Sequence, residues 1–343
     1  MFKKVCFLMV LVVLVFLAVR LDAAISGVVF GDYYFVPTHH AEKDGAKLYE
    51  GQNGLWFRRI YLTYDSDLSD KIKGRIRLEA SSDGKFNSAA ANITPFIKDA
   101  YISYSFLPQH SLTVGLQDSL TWTNIEKFYG YRHLEKTAFD LYKVRSSRDV
   151  AISLKGSFDA DKKFNYAVQF GNYSGTKQET DKYKQISALL NVSPLTGLIL
   201  EINGDSTTLS AAKKSTLIQG FAGYSGDWGR IGLNYGQETV KETGKSDVKF
   251  GIFSAFGIAK LSKDFEAVLR VDLTADPQPY GVSDYTPIEK GFKTTMLIAG
   301  LGWNIHPKLQ IMPNIKVVGY TANSSGVKPG SDTYFNITFN YNL

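Results

Sequence analysis

The sequence predicts an all-β protein: a transmembrane antiparallel barrel of about 16 strands, with short turns on one side and long loops on the other. Three observations point there. The first is a period of two. In "IKGRIRLEA" (72–80), Ile72, Gly74, Ile76, Leu78 and Ala80 are apolar or small, while Lys73, Arg75, Arg77 and Glu79 are charged. Alternation at that period puts one set on each face of a strand. The second is a rhythm of short and long connectors. The third is the ending "YFNITFNYNL", where Phe335, Ile337, Phe339, Tyr341 and Leu343 share one face up to the last residue.

Each element follows from local pattern. Lys3 and Lys4, an apolar run over 5–19, and the small residues Ala23 and Ala24 have the order of a secretory signal peptide, assigned to 1–24. The alternative is a membrane anchor, but the run is shorter than the roughly 20 residues of a spanning helix. Cys6 is the only cysteine, so the barrel domain, 25–343, has no disulfide, thiol or cysteine–metal chemistry. Beyond the signal, no apolar run reaches the roughly 18 residues of a helical span. The chain's net charge of +6 falls by two once Lys3, Lys4, Arg20 and Asp22 are removed. That balance does not suggest nucleic acid as a partner.

Strands are expected at 25–36, 56–64, 72–80, 96–106, 111–117, 149–158, 164–172, 183–192, 198–203, 217–224, 230–237, 248–258, 265–274, 294–304, 309–317 and 332–343. Most are near the ten residues or so that a tilted strand needs to cross a bilayer. Short connectors lie at 65–71, 107–110, 159–163, 193–197, 225–229, 261–264 and 306–308. Long ones lie at 37–54, 82–94, 118–147, 173–181, 206–213, 238–247, 275–293 and 321–331. Hydrocarbon offers the backbone no partner, so a lipid-facing sheet must close on itself. The ionic faces then line a lumen wide enough for water. Tyr104, Phe106, Trp228, Trp303, Tyr320 and Tyr341 fall at strand ends, where aromatic girdles sit. A secreted β-sandwich is the soluble alternative. It would not produce the long–short rhythm.

The C-terminal pattern resembles the insertion signal of bacterial outer-membrane barrels, with Leu343 where Phe is usual. In order along the chain, "FRRIYLTYDSDLSDKIKGRIRLEA", "IKDAYISYSF", "LTVGLQD", "YRHLEKTAFD", "SRDVAISLKGSF", "LRVD" and "IMPNIKV" resemble the phosphate-selective porin O/P type family. The resemblance implies a sixteen-stranded outer-membrane barrel, often a homotrimer, that passes small hydrophilic solutes and inorganic ions. Phosphate selectivity in that family needs a denser set of lumen arginines and lysines than this chain has.

Arg59, Lys73, Arg75, Arg77 and Lys155 are expected to form a basic wall, which would give a weak preference for anions. The alternative is that these cations pair with Glu79, Asp99 and Asp149 and only keep the lumen solvated. The connector at 118–147 is long and rich in aromatics, so it is expected to pack. As the third outer loop it would fold into the lumen, making Asp118, Glu126, Arg132, Glu135 and Lys136 constriction candidates. Packing across the outer mouth is the other option. His39 and His40 read as solvated loop residues; the sequence suggests no metal, cofactor or catalytic group. Two rival functions stay open: a plugged structural or adhesin barrel, and an outer-membrane hydrolase with a Ser or Thr nucleophile beside a histidine.

Overall fold

The structure is a computed structural model that describes residues 22–86 and 92–343. Residues 1–21 of the expected signal segment lie outside the described residues. Residues 22–24 begin the first strand. Sixteen antiparallel strands close into one barrel. They are β1 (Asp22–Thr38), β2 (Asn53–Ser69), β3 (Ile72–Ala80), β4 (Phe96–Leu107), β5 (His110–Asp118), β6 (Arg148–Ser157), β7 (Phe164–Gly171) and β8 (Gln185–Val192). There follow β9 (Leu198–Ser210), β10 (Lys213–Gly226), β11 (Gly229–Glu242), β12 (Val248–Lys260), β13 (Phe265–Thr274), β14 (Thr294–His306), β15 (Leu309–Tyr320) and β16 (Asp332–Asn342). Each strand pairs with its sequence neighbours, and β1 pairs with β16 to close the ring, with Gly31 opposite Phe339 and Tyr33 opposite Ile337.

The outer surface is greasy, as the alternation requires. Ile76, Ile102, Val114, Ile152, Ile202, Leu233, Leu269, Leu297 and Ile337 are all exposed there. Trp228, Trp303 and Tyr341 are exposed near the short turns, in girdle positions. Tyr320 corrects the expectation: it is buried inside the mouth and its hydroxyl donates to Asp332 Oδ2 at 2.6 Å.

The wall is uneven in height. β10 and β11 have 14 residues each, while β7 and β8 have 8. At about 3.3 Å per residue, the tall strands rise well above the hydrocarbon. This corrects two expected long loops. Ala211 and Ala212 alone turn β9 into β10, and the β11–β12 connection shrinks to 243–247. The polar residues there pair as strands because, outside lipid, sheet hydrogen bonds do not need an apolar face.

Two β-bulges reshape the inner surface. Phe30 pairs with Arg59 and Gly31 with Phe57, so Arg58 is the extra residue in β2. Arg77 pairs with Asp99 and Leu78 with Ile97, so Lys98 is the extra residue in β4. A bulge sets two successive side chains against one partner position. Arg58 and Arg59 therefore both point inward, as do Lys98 and Asp99.

Between β5 and β6 the third outer loop enters the lumen. It carries α1 (Thr123–Tyr129) and α2 (Ala138–Leu141). Its Trp122, Ile125, Tyr129, Leu134, Phe139, Leu141 and Tyr142 are buried against inward-facing Phe221, Phe250, Ile252, Phe256, Met296 and Ile298. The expectation that every inner face is ionic therefore fails over β10–β15: that part of the wall sets apolar side chains beneath the loop, beside buried Arg270, Asp272 and Lys316. Gly130 ends α1 in the left-handed region (φ 71°), with its N–H donating to Glu126 O at 2.9 Å. A Cβ there would sit 2.5 Å from Arg230 Nη2, which donates to Tyr129 O at 2.9 Å. Gly130→Ala should lower stability by about 1–2 kcal/mol. Thermal unfolding in detergent would show it, and an unchanged midpoint would mean that neither the turn nor Arg230 matters.

Candidate functional site

The loop's apolar face lies against β10–β15, and the opposite wall, β2–β6, is lined by polar and charged side chains. Cations descend that wall from the long-loop end to the short turns, each beside a carboxylate on a neighbouring strand. Arg59 Nε lies 3.0 Å from Glu79 Oε1, and Lys98 Nζ lies 3.0 Å from the other oxygen of Glu79. Arg77 bridges Asp99 at 3.2 Å and donates to Thr63 Oγ1 at 2.8 Å. Arg75 grips Asp65 through two hydrogen bonds of 2.6 and 2.9 Å. Lys73 reaches Asp67 at 3.3 Å. Arg148 joins Asp99 to Asp118. Cross-strand register produces this ladder, because Arg75 stands opposite Asp65 and Arg77 opposite both Thr63 and Asp99. Lys155 stands apart, with no carboxylate in ion-pair range among the described residues.

The expected basic wall is thus a wall of mixed sign. Its pairings with Glu79 and Asp99 are those weighed from sequence. Asp149 differs: it accepts the backbone N–H groups of Tyr173 and Ser174 at 2.8 and 3.2 Å and so fixes the fourth outer loop. At the short-turn end the wall encloses a polar pocket of about 520 Å³ lined by Asp65, Asp67, Lys73, Arg75, Asp118 and Lys155. Three of these six are acidic and three basic.

The loop candidates divide into two groups. Arg132 pairs with Glu126 at 3.1 Å and Asp140 at 3.4 Å; across the lumen Arg132 acts on Tyr61 and Glu79, and Asp140 on Arg59. With Asp118, these groups face the passage. Glu135 and Lys136 do not: they are buried anchors, which corrects the expectation that they line a constriction. Glu135 holds Arg58 at 2.9 Å and Lys316 at 2.7 Å. Lys136 pairs with Asp284 of the loop at 275–293 at 3.1 Å, and its carbonyl accepts from Arg270. Burial raises the Glu135 pKa, but Arg58 and Lys316 outweigh it and hold the carboxyl well below the usual range. For Asp284 the same contest, with Lys136 and Lys143 opposing burial, ends at about 2.

The sequence reading missed Arg58, Lys98 and Arg145. Arg145 is buried at the end of the loop, with two 2.8 Å hydrogen bonds to Asp205 and a further bond to Glu238. The bulged pair had a signal: "RR" and "KD" are adjacent charges inside otherwise alternating strands. His39 and His40 also correct the reading. His39 is 2% exposed and stacks on His40 at 4.5 Å. Burial pushes His133 down to about 4, and its Nε2 sits 2.7 Å from Gln310 Oε1. Among the described residues, no histidine ring is hydrogen-bonded to a serine or threonine hydroxyl.

No family model and no curated protein matches this sequence. Solved structures do match in fold. An anion-selective porin from Comamonas acidovorans superposes with a TM-score of 0.69 at 14% identity, covering 94% of this chain and 99% of that porin. OmpF of Salmonella typhi, in complex with daunomycin, gives 0.66 at 10% identity over 94% and 98%. OmpT of Vibrio cholerae with loop L8 deleted, an outer membrane protein, gives 0.63 at 12% identity over 94% and 99%. The chain has the fold of the sixteen-stranded bacterial porins.

Proposed function

We propose that this protein is an outer-membrane porin that lets small hydrophilic solutes and inorganic ions diffuse passively between the β2–β6 wall and the inserted loop. The polar pocket on that wall carries the reading. It is lined by charged groups in balance, and a lining of balanced charge favours weak selectivity over a dedicated site. A slight anion preference rests on Lys155, the wall cation without a carboxylate partner. The anion-selective porin among the similar structures is consistent with that sign. The resemblance to the phosphate-selective type extends here to architecture and not to phosphate, since the wall arginines are already occupied. A homotrimer is proposed on the same resemblance, and the molar mass of the detergent-solubilised protein tests it.

Conductance in planar bilayers across several salts is the experiment. Lys155→Glu should move the reversal potential toward cations, and so should the double variant Arg75→Gln, Arg77→Gln, which uncovers Asp65 and leaves Asp99 to Arg148 alone. Unchanged potentials would remove this wall from the ion path. The dry packing of the inserted loop favours one rival, a barrel closed by its own loop; that protein would pass no current. Turnover of ester or lipid substrates would instead favour the hydrolase.

A further inference from the structure

We propose that His39, His40 and Asp332 form a binding site for a divalent transition metal of the zinc class at the outer mouth, pinning the seam where the barrel closes. The site is independent of whether the barrel conducts. His39 and His40 follow directly on β1, and Asp332 opens β16; these two strands complete the ring, with Thr38 opposite Thr333.

The ligand atoms are already gathered. One donor atom from each of the three residues lies within 4.8 Å of the others. His40 Nδ1 is 2.8 Å from Asp332 Oδ1, and His39 Nδ1 is 3.8 Å from the same oxygen. Tetrahedral zinc, with bonds of about 2.0–2.1 Å, sets neighbouring ligand atoms roughly 3.3 Å apart, so the two histidine–Asp332 separations bracket that value, and the pair of histidine nitrogens closes to it on binding. The Tyr320 hydroxyl, 3.4 Å from His40 Nδ1 and 2.6 Å from Asp332 Oδ2, adjoins two of the three ligands.

Protonation favours the same reading. Ala41 N–H donates to His39 Nδ1 at 3.0 Å, so that nitrogen carries no proton, and its lone pair passes to the metal when this bond is given up. His39 Nε2 is buried with no hydrogen-bond partner. The ring is therefore oriented by packing against Tyr49 and His40, and not by any bond on its far nitrogen. That orientation keeps Nδ1 3.8 Å from a buried carboxylate, a gap that a cation between them would stabilise. His40 Nε2 lies 3.3 Å from Glu289 Oε2, so Glu289 would hold the ring as a carboxylate behind a metal-bound histidine does. On binding, the His40 Nδ1 proton leaves to water, the metal takes its place, and the Nε2 proton stays on the bond to Glu289. Entry is open from a pocket of about 360 Å³ lined by His39, His40 and Glu289.

The test uses the full protein folded in detergent. Zinc is titrated by calorimetry, and cobalt is used as a spectroscopic substitute. The expected result is one zinc per chain and a tetrahedral cobalt spectrum, with zinc raising the barrel's unfolding temperature. His40→Ala should abolish all three. Glu289→Gln, at an exposed position that leaves the barrel intact, should weaken zinc binding about 10–100-fold. His306→Ala, in a short turn, should change nothing. The proposal is overturned if the wild-type protein takes up no stoichiometric zinc. It is equally overturned if His40→Ala binds as wild type, or if His306→Ala is the variant that loses binding.

Discussion

Replacing Glu135 by alanine is expected to release the inserted loop and raise single-channel conductance. Its carboxylate is the shared partner of two buried cations, Arg58 and Lys316. Removing it leaves both charges inside without it. Breaking a buried pair in this way costs about 3–5 kcal/mol. Asp32, 3.7 Å from Arg58 Nε, offsets a little of that. Glu135→Ala should therefore lower the unfolding midpoint and widen the passage. Wild-type conductance in a folded variant would show that the loop is held by its apolar face alone. Acid should act in the same direction. The folded-state pKa of Glu135 is depressed, so its contribution is complete above the unfolded carboxyl value, about 4.3. It is lost as pH falls toward the folded value. Loop opening should begin below about pH 4 and be absent at neutral pH. Shortening the loop by residues 123–136 is a blunter test, because it would also strip the cover from Phe221 and Phe256.

Arg145→Ala is the second large effect. Arg145 sits between Asp205 and Glu238, and Ser215 Oγ accepts from it at 3.0 Å. Its loss would leave two buried carboxylates facing each other, again at about 3–5 kcal/mol. Arg145→Lys should recover only part of this, since an ammonium cannot match the two-bond grip on Asp205. Full recovery by lysine in urea unfolding would mean that charge matters and fork geometry does not.

The strand number and the lipid-facing positions were legible because hydrocarbon enforces one rule on every strand. Ile76, Ile152 and Leu269 obey it without exception. The inner surface obeys no single rule, and there the reading weakened. Arg58 was hidden because strict alternation assigns it to lipid; only the doubled charge hinted at a bulge. In β12 the segment "FGIFSAFGIAK" is apolar on both faces, and a strand with no polar side was the sign of a covered inner wall. Glu135 and Glu126 could not be told apart by sequence, since both are acids in one long loop. Which of them meets Lys316 depends on a chain crossing the whole lumen. Loop lengths over β9–β12 were overestimated because polar composition was taken for irregular backbone.

The apolar seat beneath the inserted loop gives this protein two kinds of interior at once. Seen from the bilayer it is inverted, with grease outside and charge within; along one flank it also holds a nucleus like that of a water-soluble domain. The hoop of backbone hydrogen bonds is then not its sole source of rigidity. Truncating Phe256 or Met296 should loosen it the way core truncations loosen an ordinary globular enzyme, although neither side chain touches a lipid.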